Sequence, residues 1–350
     1  MIRSFRTHAL IPFFIMLLAF KEGDGPDVVL LGRATFTNPL LESGPDPWVV
    51  QKDGWYYVTH TTGKDLRLYR VREMSDLSHA EMKTIWTPPS TGMNSKQIWA
   101  PEIHFLGGKW YCYYAADDGR NENHRMWVLE NKSSDPFEGT WTDKGVLQLP
   151  DDEWAIDGTA FEHGGQLYFL WSGWQGDVNG RQDIYITSML NPWTPAKERV
   201  LLSKPEYEWE MRGGNPAVNE APEFLRHGDK VFIVYSASGC WTDDYALGLL
   251  SASANADLTL PSSWIKSPKP VFEKSTSSGA YGPGHNSFFK SPDGTEDWIL
   301  YHANPGPGQG CGGKRSPRMQ KFTWTTDGSP NFGIPVKAGV PLEAPSGERD

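Results

Sequence analysis

Three cysteines in 350 residues are too few for a disulfide framework, so the fold has to rest on its own core. Cys112 lies inside the apolar run Trp110-Tyr111-Cys112-Tyr113-Tyr114 and reads as an inert core thiol. Cys240 and Cys311 each follow a glycine, and an oxidising compartment leaves their pairing open; neither has metal-ligand spacing. Basic clusters are also missing. With a net charge of -10 and no run of Lys or Arg, a nucleic-acid partner is excluded. No apolar stretch reaches the length that spans a bilayer. The twelve residues Ala9 to Phe20, preceded by Arg3 and Arg6, instead have the form of a secretory h-region. Residues 1–22 are therefore expected to be a signal peptide. The mature protein is expected to be secreted and extracellular, off the membrane once the signal is removed. The sequon Asn131-Lys132-Ser133 would be a glycan acceptor in a eukaryotic secretory pathway.

Helical periodicity is nearly absent after residue 22. Short aromatic and β-branched runs take its place, and five of them align: Trp55 to Thr61, Lys109 to Ala116, Gln166 to Gly173, Lys230 to Ser238 and Asp297 to Ala303. A tight turn precedes each one: Asp53-Gly54, Gly107-Gly108, Gly164-Gly165, Gly228-Asp229 and Asp293-Gly294. Before each turn lies another short strand, carrying Val50, Phe105, Phe161, Phe224 or Phe289. A third strand follows each run, and a fourth apolar segment closes most units. Five units of four antiparallel strands imply an all-β, five-bladed β-propeller over residues 23–345, with 346–350 as a polar tail expected to be disordered. A β-sandwich is the alternative that short strands and regular turns leave open.

Four residues before the apolar residue of each first strand stand Asp46, Pro101, Asp157, Glu220 and His285, at intervals of 55 to 65 residues. Innermost strands of a propeller face one axis, so these positions form a ring. Charges gathered at such an axis repel and lose hydration, a cost that points to function. Singly the three acids are weak signals: Asp46 between two prolines reads as a turn residue, and Glu220 has Glu223 as a neighbouring competitor. In phase they suit glycoside hydrolysis, which needs one protonated carboxyl and one ionised carboxylate. The acidic pairs Asp117-Asp118 and Asp243-Asp244 are read as solvated loops without metal-loop spacing.

These strings resemble glycoside hydrolase family 43, and in particular its exo-acting α-L-arabinofuranosidase branch. The likeness covers nearly the whole mature chain. It is carried by Ile98 to Glu102 (IWAPE), Trp154 to Thr159 (WAIDGT), Val218 to Pro222 (VNEAP), Ser236 to Leu250 (SASGCWTDDYALGLL) and Tyr281 to Phe288 (YGPGHNSF). The resemblance implies an inverting mechanism with Asp46 as general base, Glu220 as general acid and Asp157 tuning that acid. Inversion asks for an acid and base about 6.5–9.5 Å apart. Ala221 stands where many relatives carry Gly. Trp99 is a candidate sugar platform or a core Trp. Arg315 resembles a substrate-contacting Arg, whose cation could hold a sugar hydroxyl or the acidic set, against a solvated strand Arg. His285 is the third candidate contact; in relatives it sits beside a central Ca²⁺ or water network, which leaves a structural Ca²⁺ on the axis open.

The expected activity is release of L-arabinofuranosyl units from α-1,5-arabinan of plant cell walls, by a monomer, with no cofactor required for the chemistry. A β-xylosidase or arabinoxylan-debranching enzyme with the same triad is the near rival. Retaining fructan hydrolases are disfavoured because their Asn-Asp-Pro and Arg-Asp-Pro strings are absent. A non-catalytic sugar-binding propeller would have no reason to keep the acidic ring. A WD-type interaction propeller has a shorter repeat.

Overall fold

The computed structural model describes residues 34–196 and 198–349; the expected signal peptide lies outside them. Regular structure among the described residues is almost wholly β, and its helical segments are 3-10 turns of three to six residues. No helix in this part is long and apolar enough to cross a membrane.

Five antiparallel meanders follow one another. The first contains Trp48–Lys52, Trp55–Thr59, Leu66–Val71 and Glu81–Trp86 in that sheet order. The second contains Lys96–Leu106, Lys109–Asp117, Arg125–Asn131 and Trp141–Val146. The third (Ala155–His163, Gln166–Trp174, Arg181–Asn191, Val200–Ser203) and the fourth (Ala217–His227, Lys230–Ala237, Ala246–Ser253, Ile265–Lys266) share one sheet. They join where Arg181 and Gln182 pair in parallel with Ala217 and Val218. The fifth contains Tyr281–Lys290, Asp297–Asn304, Ser316–Trp324 and Pro330–Asn331.

The first hairpin of each meander forms where its turn sequence permits positive φ. Both central residues lie there at Asp53-Gly54, Gly107-Gly108 and Gly164-Gly165; in the other two turns only Gly228 and Gly294 do. Apolar faces then pack between successive meanders. Tyr57 and Leu68 of the first meet Ile103 and Trp110 of the second; Tyr113 and Val128 of the second meet Phe169 and Trp171 of the third. Leu170 and Ile184 meet Ile233 and Leu250; Phe232 and Leu247 meet Ile299 and Tyr301. The last cluster joins Phe289, Trp298 and Leu300 of the fifth to Val49, Tyr56 and Val58 of the first. The leading strands likewise touch in succession, first to second through fourth to fifth, and the fifth touches the first. The indole of Trp171, 1% exposed, shows how fully these seams are filled; truncation to Ala would cost about 3–5 kcal/mol.

Four expectations need correction. The segment after Trp324 is not loose: Leu342–Glu343 pairs with Thr35–Phe36, Ser346 N–H donates to Glu296 Oε2 at 3.0 Å, and Met74 N–H donates to Glu348 Oε1 at 2.7 Å. Its polar residues answer backbone and side-chain donors rather than water alone. Asn131 is wholly buried, with Nδ2 donating to Glu138 O at 2.7 Å and Oδ1 accepting Ser133 N–H at 2.9 Å, so it holds a turn and has no room for a glycan. Asp117 is buried with His124 Nδ1 2.9 Å away, not solvated. Asp244 is ion-paired to Lys274 at 2.6 Å and Arg212 at 3.1 Å, and Asp243 accepts Gly308 N–H at 2.8 Å. Cys240 and Cys311 are disulfide-bonded, and Cys112 is a buried free thiol.

Candidate active site

The leading strands are not regular where the ring was placed. Left-handed φ occurs at Asp46 (56°), Ala100 (40°), Asp157 (54°), Ala221 (50°) and His285 (47°). Pairing slips beside four of these: between Trp99 and Glu102, Ile156 and Thr159, Glu220 and Glu223, and Gly284 and Ser287. A bulge re-aims the side chains around it. Asp157, Glu220 and His285 beside such slips, and Asp46 just before the first leading strand, line one pocket of about 380 Å³, together with Trp99 and Arg315. Left-handed backbone costs a non-glycine residue about 1–2 kcal/mol, strain of the kind found at functional sites.

Asp46 is 8% exposed and surrounded by nitrogen. Its Oδ1 accepts from Arg315 Nη1 at 2.8 Å and lies 3.2 Å from His285 Nδ1. Burial pushes this carboxyl up, but the Arg315 charge and then His285 outweigh it and hold it well below the usual range. His302 Nδ1 is also near, at 3.5 Å, yet that nitrogen accepts the Asp46 backbone N–H at 3.1 Å. It therefore carries no proton, and burial holds His302 neutral, so this contact is no ion pair.

The other two acids are held the opposite way. Burial pushes Asp157 up to about 8; His285 pulls it down, while Glu220 and Asp46 push it further up. Its Oδ2 accepts Ala221 N–H at 3.1 Å. Burial also raises Glu220, against the Tyr245 hydroxyl, which donates to Oε1 at 2.7 Å and favours the anion. Burial disfavours a charged imidazole at His285, but Asp46 and Asp157 outweigh it and raise the ring to about 9. At neutral pH the pocket thus holds one ionised carboxylate, Asp46, pinned by two cations, beside a protonated Asp157 and a Glu220 carboxyl raised from its ordinary value. These are the two states that acid–base hydrolysis uses.

Trp99 is both things the sequence left open: its ring stacks on His124 at 4.1 Å, within the second core seam, and its free side lines the pocket. Glu223 does not line the pocket and is buried against Glu102, which lies 3.0 Å from His104. Among the described residues no group of three or more His, Cys, Asp or Glu could hold a metal, and His285 Nδ1 lies 3.2 Å from Asp46 Oδ1; Ca²⁺ takes oxygen ligands, which a lone imidazole does not supply.

Tyr245, His302, Trp154 and Trp241 were not singled out by the sequence. Tyr245 and Trp241 lie inside the quoted string Ser236 to Leu250, and Trp154 opens another, so those strings carry a signal that the offset shared by the ring positions does not.

The chain matches the model of glycosyl hydrolases family 43 over residues 36–330. It is 42% identical over 316 residues to an extracellular exo-α-(1→5)-L-arabinofuranosidase of Streptomyces avermitilis, covering 87% of this chain and 65% of that one. It is 37% identical over 315 residues to α-L-arabinofuranosidase 43 of Humicola insolens, covering 87% of this chain and 64% of that one. The chain thus spans just under two thirds of the length of these two relatives. Among solved structures, an α-L-arabinofuranosidase from Lactobacillus brevis superposes with a TM-score of 0.82 at 36% identity, over 87% of this chain and 98% of that one. With its residues 36–330 matched throughout, this chain belongs to glycosyl hydrolases family 43.

Proposed function

We propose that the chain is an inverting exo-α-L-arabinofuranosidase that removes L-arabinofuranosyl units from α-1,5-arabinan or its oligosaccharides in plant cell walls. The observation that carries this reading is the opposite charge preference of Asp46 and Glu220 within one pocket. The Asp46 carboxylate takes a proton from water as the water oxygen bonds to the anomeric carbon. Glu220 gives its proton to the glycosidic oxygen as that carbon–oxygen bond breaks. Asp157 tunes and orients the acid, and its Oδ2 accepts the Ala221 amide beside it. Exchange with solvent resets both groups. Water and carboxyls suffice, so the reaction runs without a cofactor. The names of the relatives above support the sugar and the linkage.

On the same reading the five meanders are blades of a five-bladed β-propeller. The unbroken circuit of contacts from the first leading strand to the fifth and back supports it. Residues 1–22 act as a secretion signal, the chain works outside the cell as a monomer, and residues 346–350 are the polar end of the domain.

The test is product analysis on linear α-1,5-arabinan, sugar-beet arabinan, arabinoxylan and xylo-oligosaccharides, with Glu220→Ala alongside. Arabinose from the linear substrate, lost in the variant, is the expected result. Release only from xylan-derived substrates moves the specificity to the near rival. No hydrolysis of any of them by folded protein overturns the enzyme reading.

A further inference from the structure

Trp241 is an exposed indole that the structure goes to some length to hold still. It is 42% exposed and lines the same pocket as Asp46 and Glu220. One face lies on the bare backbone of Gly239, where a Cβ would overlap the six-membered ring. Its Nε1–H donates to Gly213 O at 3.1 Å, and a Cβ on Gly213 would sit 2.8 Å from that nitrogen. Cys240, next in the chain, is bonded to Cys311. Beyond the ring, Thr242 N–H donates to Gly239 O at 2.9 Å, and Asp243 and Asp244 are anchored as described above. A large apolar ring fixed on one face and open on the other has no packing reason to be there. Its ordering cost is already met before any ligand arrives.

The loop's position says which part of a substrate the ring would meet. It leaves the strand Lys230–Ala237, whose Ser236 pairs with Glu220, and it ends at Tyr245, whose hydroxyl binds Glu220. Trp241 is therefore on the flank of the acid. A general acid protonates the glycosidic oxygen, so the sugar beyond that oxygen lies on this flank and not over Asp46. The Cys240–Cys311 bond ties the loop to the segment that carries Arg315, and hence to the base.

We propose that the open face of Trp241 is the stacking platform for the leaving-group pentose, and that Gly239 and the Cys240–Cys311 bond exist to hold it flat. This deepens the proposed function and rests on it. A pentose ring offers C–H groups to the indole face while its hydroxyls stay in water, the arrangement an amphipathic aromatic favours.

The test measures binding of arabinose and of α-1,5-arabinotriose by calorimetry in an Asp46→Asn background, and steady-state kinetics on arabinotriose in the active protein. Arabinose fills the cleaved-sugar position alone; arabinotriose also reaches the platform. Trp241→Ala should weaken arabinotriose about tenfold while leaving arabinose within about twofold, and should raise KM about tenfold with kcat within about threefold. Gly239→Ala keeps the indole but displaces it, and should lose arabinotriose binding in the same way; Trp241→Phe should restore part of it. Retained arabinose affinity is the control for folding. Unchanged arabinotriose binding in Trp241→Ala and Gly239→Ala overturns the platform while the hydrolase reading stands, as does an equal loss for both sugars. If the unaltered active protein releases no arabinose from arabinotriose, the hydrolase reading itself fails and the platform with it.

Discussion

Arg315 and Asp46 stand 269 residues apart in the chain and meet through Nη1 and Oδ1 at 2.8 Å. The contact joins the residue before the third strand of the last meander to the segment before the first strand of the first, so the charge state of Asp46 depends on a side chain from the far end of the chain. Arg315 has a measurable signature. The base must be ionised, so activity falls as pH drops through its pKa, which the structure depresses. Arg315→Gln removes the strongest opposing charge, raises that pKa, and should move the acid limb of kcat/KM upward by about one unit or more. A pH–rate profile of the variant checks the direction.

Tyr245 acts on the other limb. Its hydroxyl favours ionised Glu220, so Tyr245→Phe should raise the acid's pKa and extend the alkaline limb upward by about one unit. The phenol also orients the carboxyl, so kcat at the optimum should fall about tenfold. A downward shift of that limb would contradict the assignment of Glu220 as the acid.

Ala221 is 2% exposed and holds φ at 50°, a conformation that suits glycine. Ala221→Gly should relieve that strain and stabilise the fold by about 1 kcal/mol, offset in part by the freer unfolded chain. Its amide still reaches Asp157, so kcat/KM should stay within about twofold. Paired thermal melts and kinetics test both statements.

The Cys240–Cys311 bond closes a segment of 71 residues. Cys240→Ser should cost about 2–4 kcal/mol through the freer unfolded chain, seen as a lower denaturant midpoint at unchanged slope. Arabinose affinity should change less than arabinotriose affinity, because the loop it loosens carries Trp241.

The repeat, the turns and the phase of the acids were legible in the sequence because each depends on residues close together in it. Asp53-Gly54 and Gly107-Gly108 announce hairpins whatever the rest of the chain does. The shared offset reached Asp46, Asp157, Glu220 and His285 because equivalent positions of the five units stand four residues before the apolar residue of each leading strand. It missed the bulges, which put Ala100 and Ala221, not Pro101 and Glu220, at the left-handed positions of their strands. It also missed partners far apart in the chain: Tyr245 to Glu220, His302 to Asp46, and Arg212 and Lys274 to Asp244. Such contacts follow from how the chain folds back on itself, and no local pattern records them. Asp117 and the residues after Trp324 were misread for the same reason, since a polar residue looks solvated until its partner is in view.

The central claim is that Asp46 activates water rather than attacking the sugar itself. The most direct measurement is proton NMR of the first arabinose released from α-1,5-arabinobiose, recorded before mutarotation, with Asp46→Asn as the control. Appearance of the β-anomer first, with turnover reduced about a thousandfold or more in Asp46→Asn, is the expected result. Appearance of the α-anomer first means retention through a covalent intermediate, and would contradict the assignment of Asp46 as a general base.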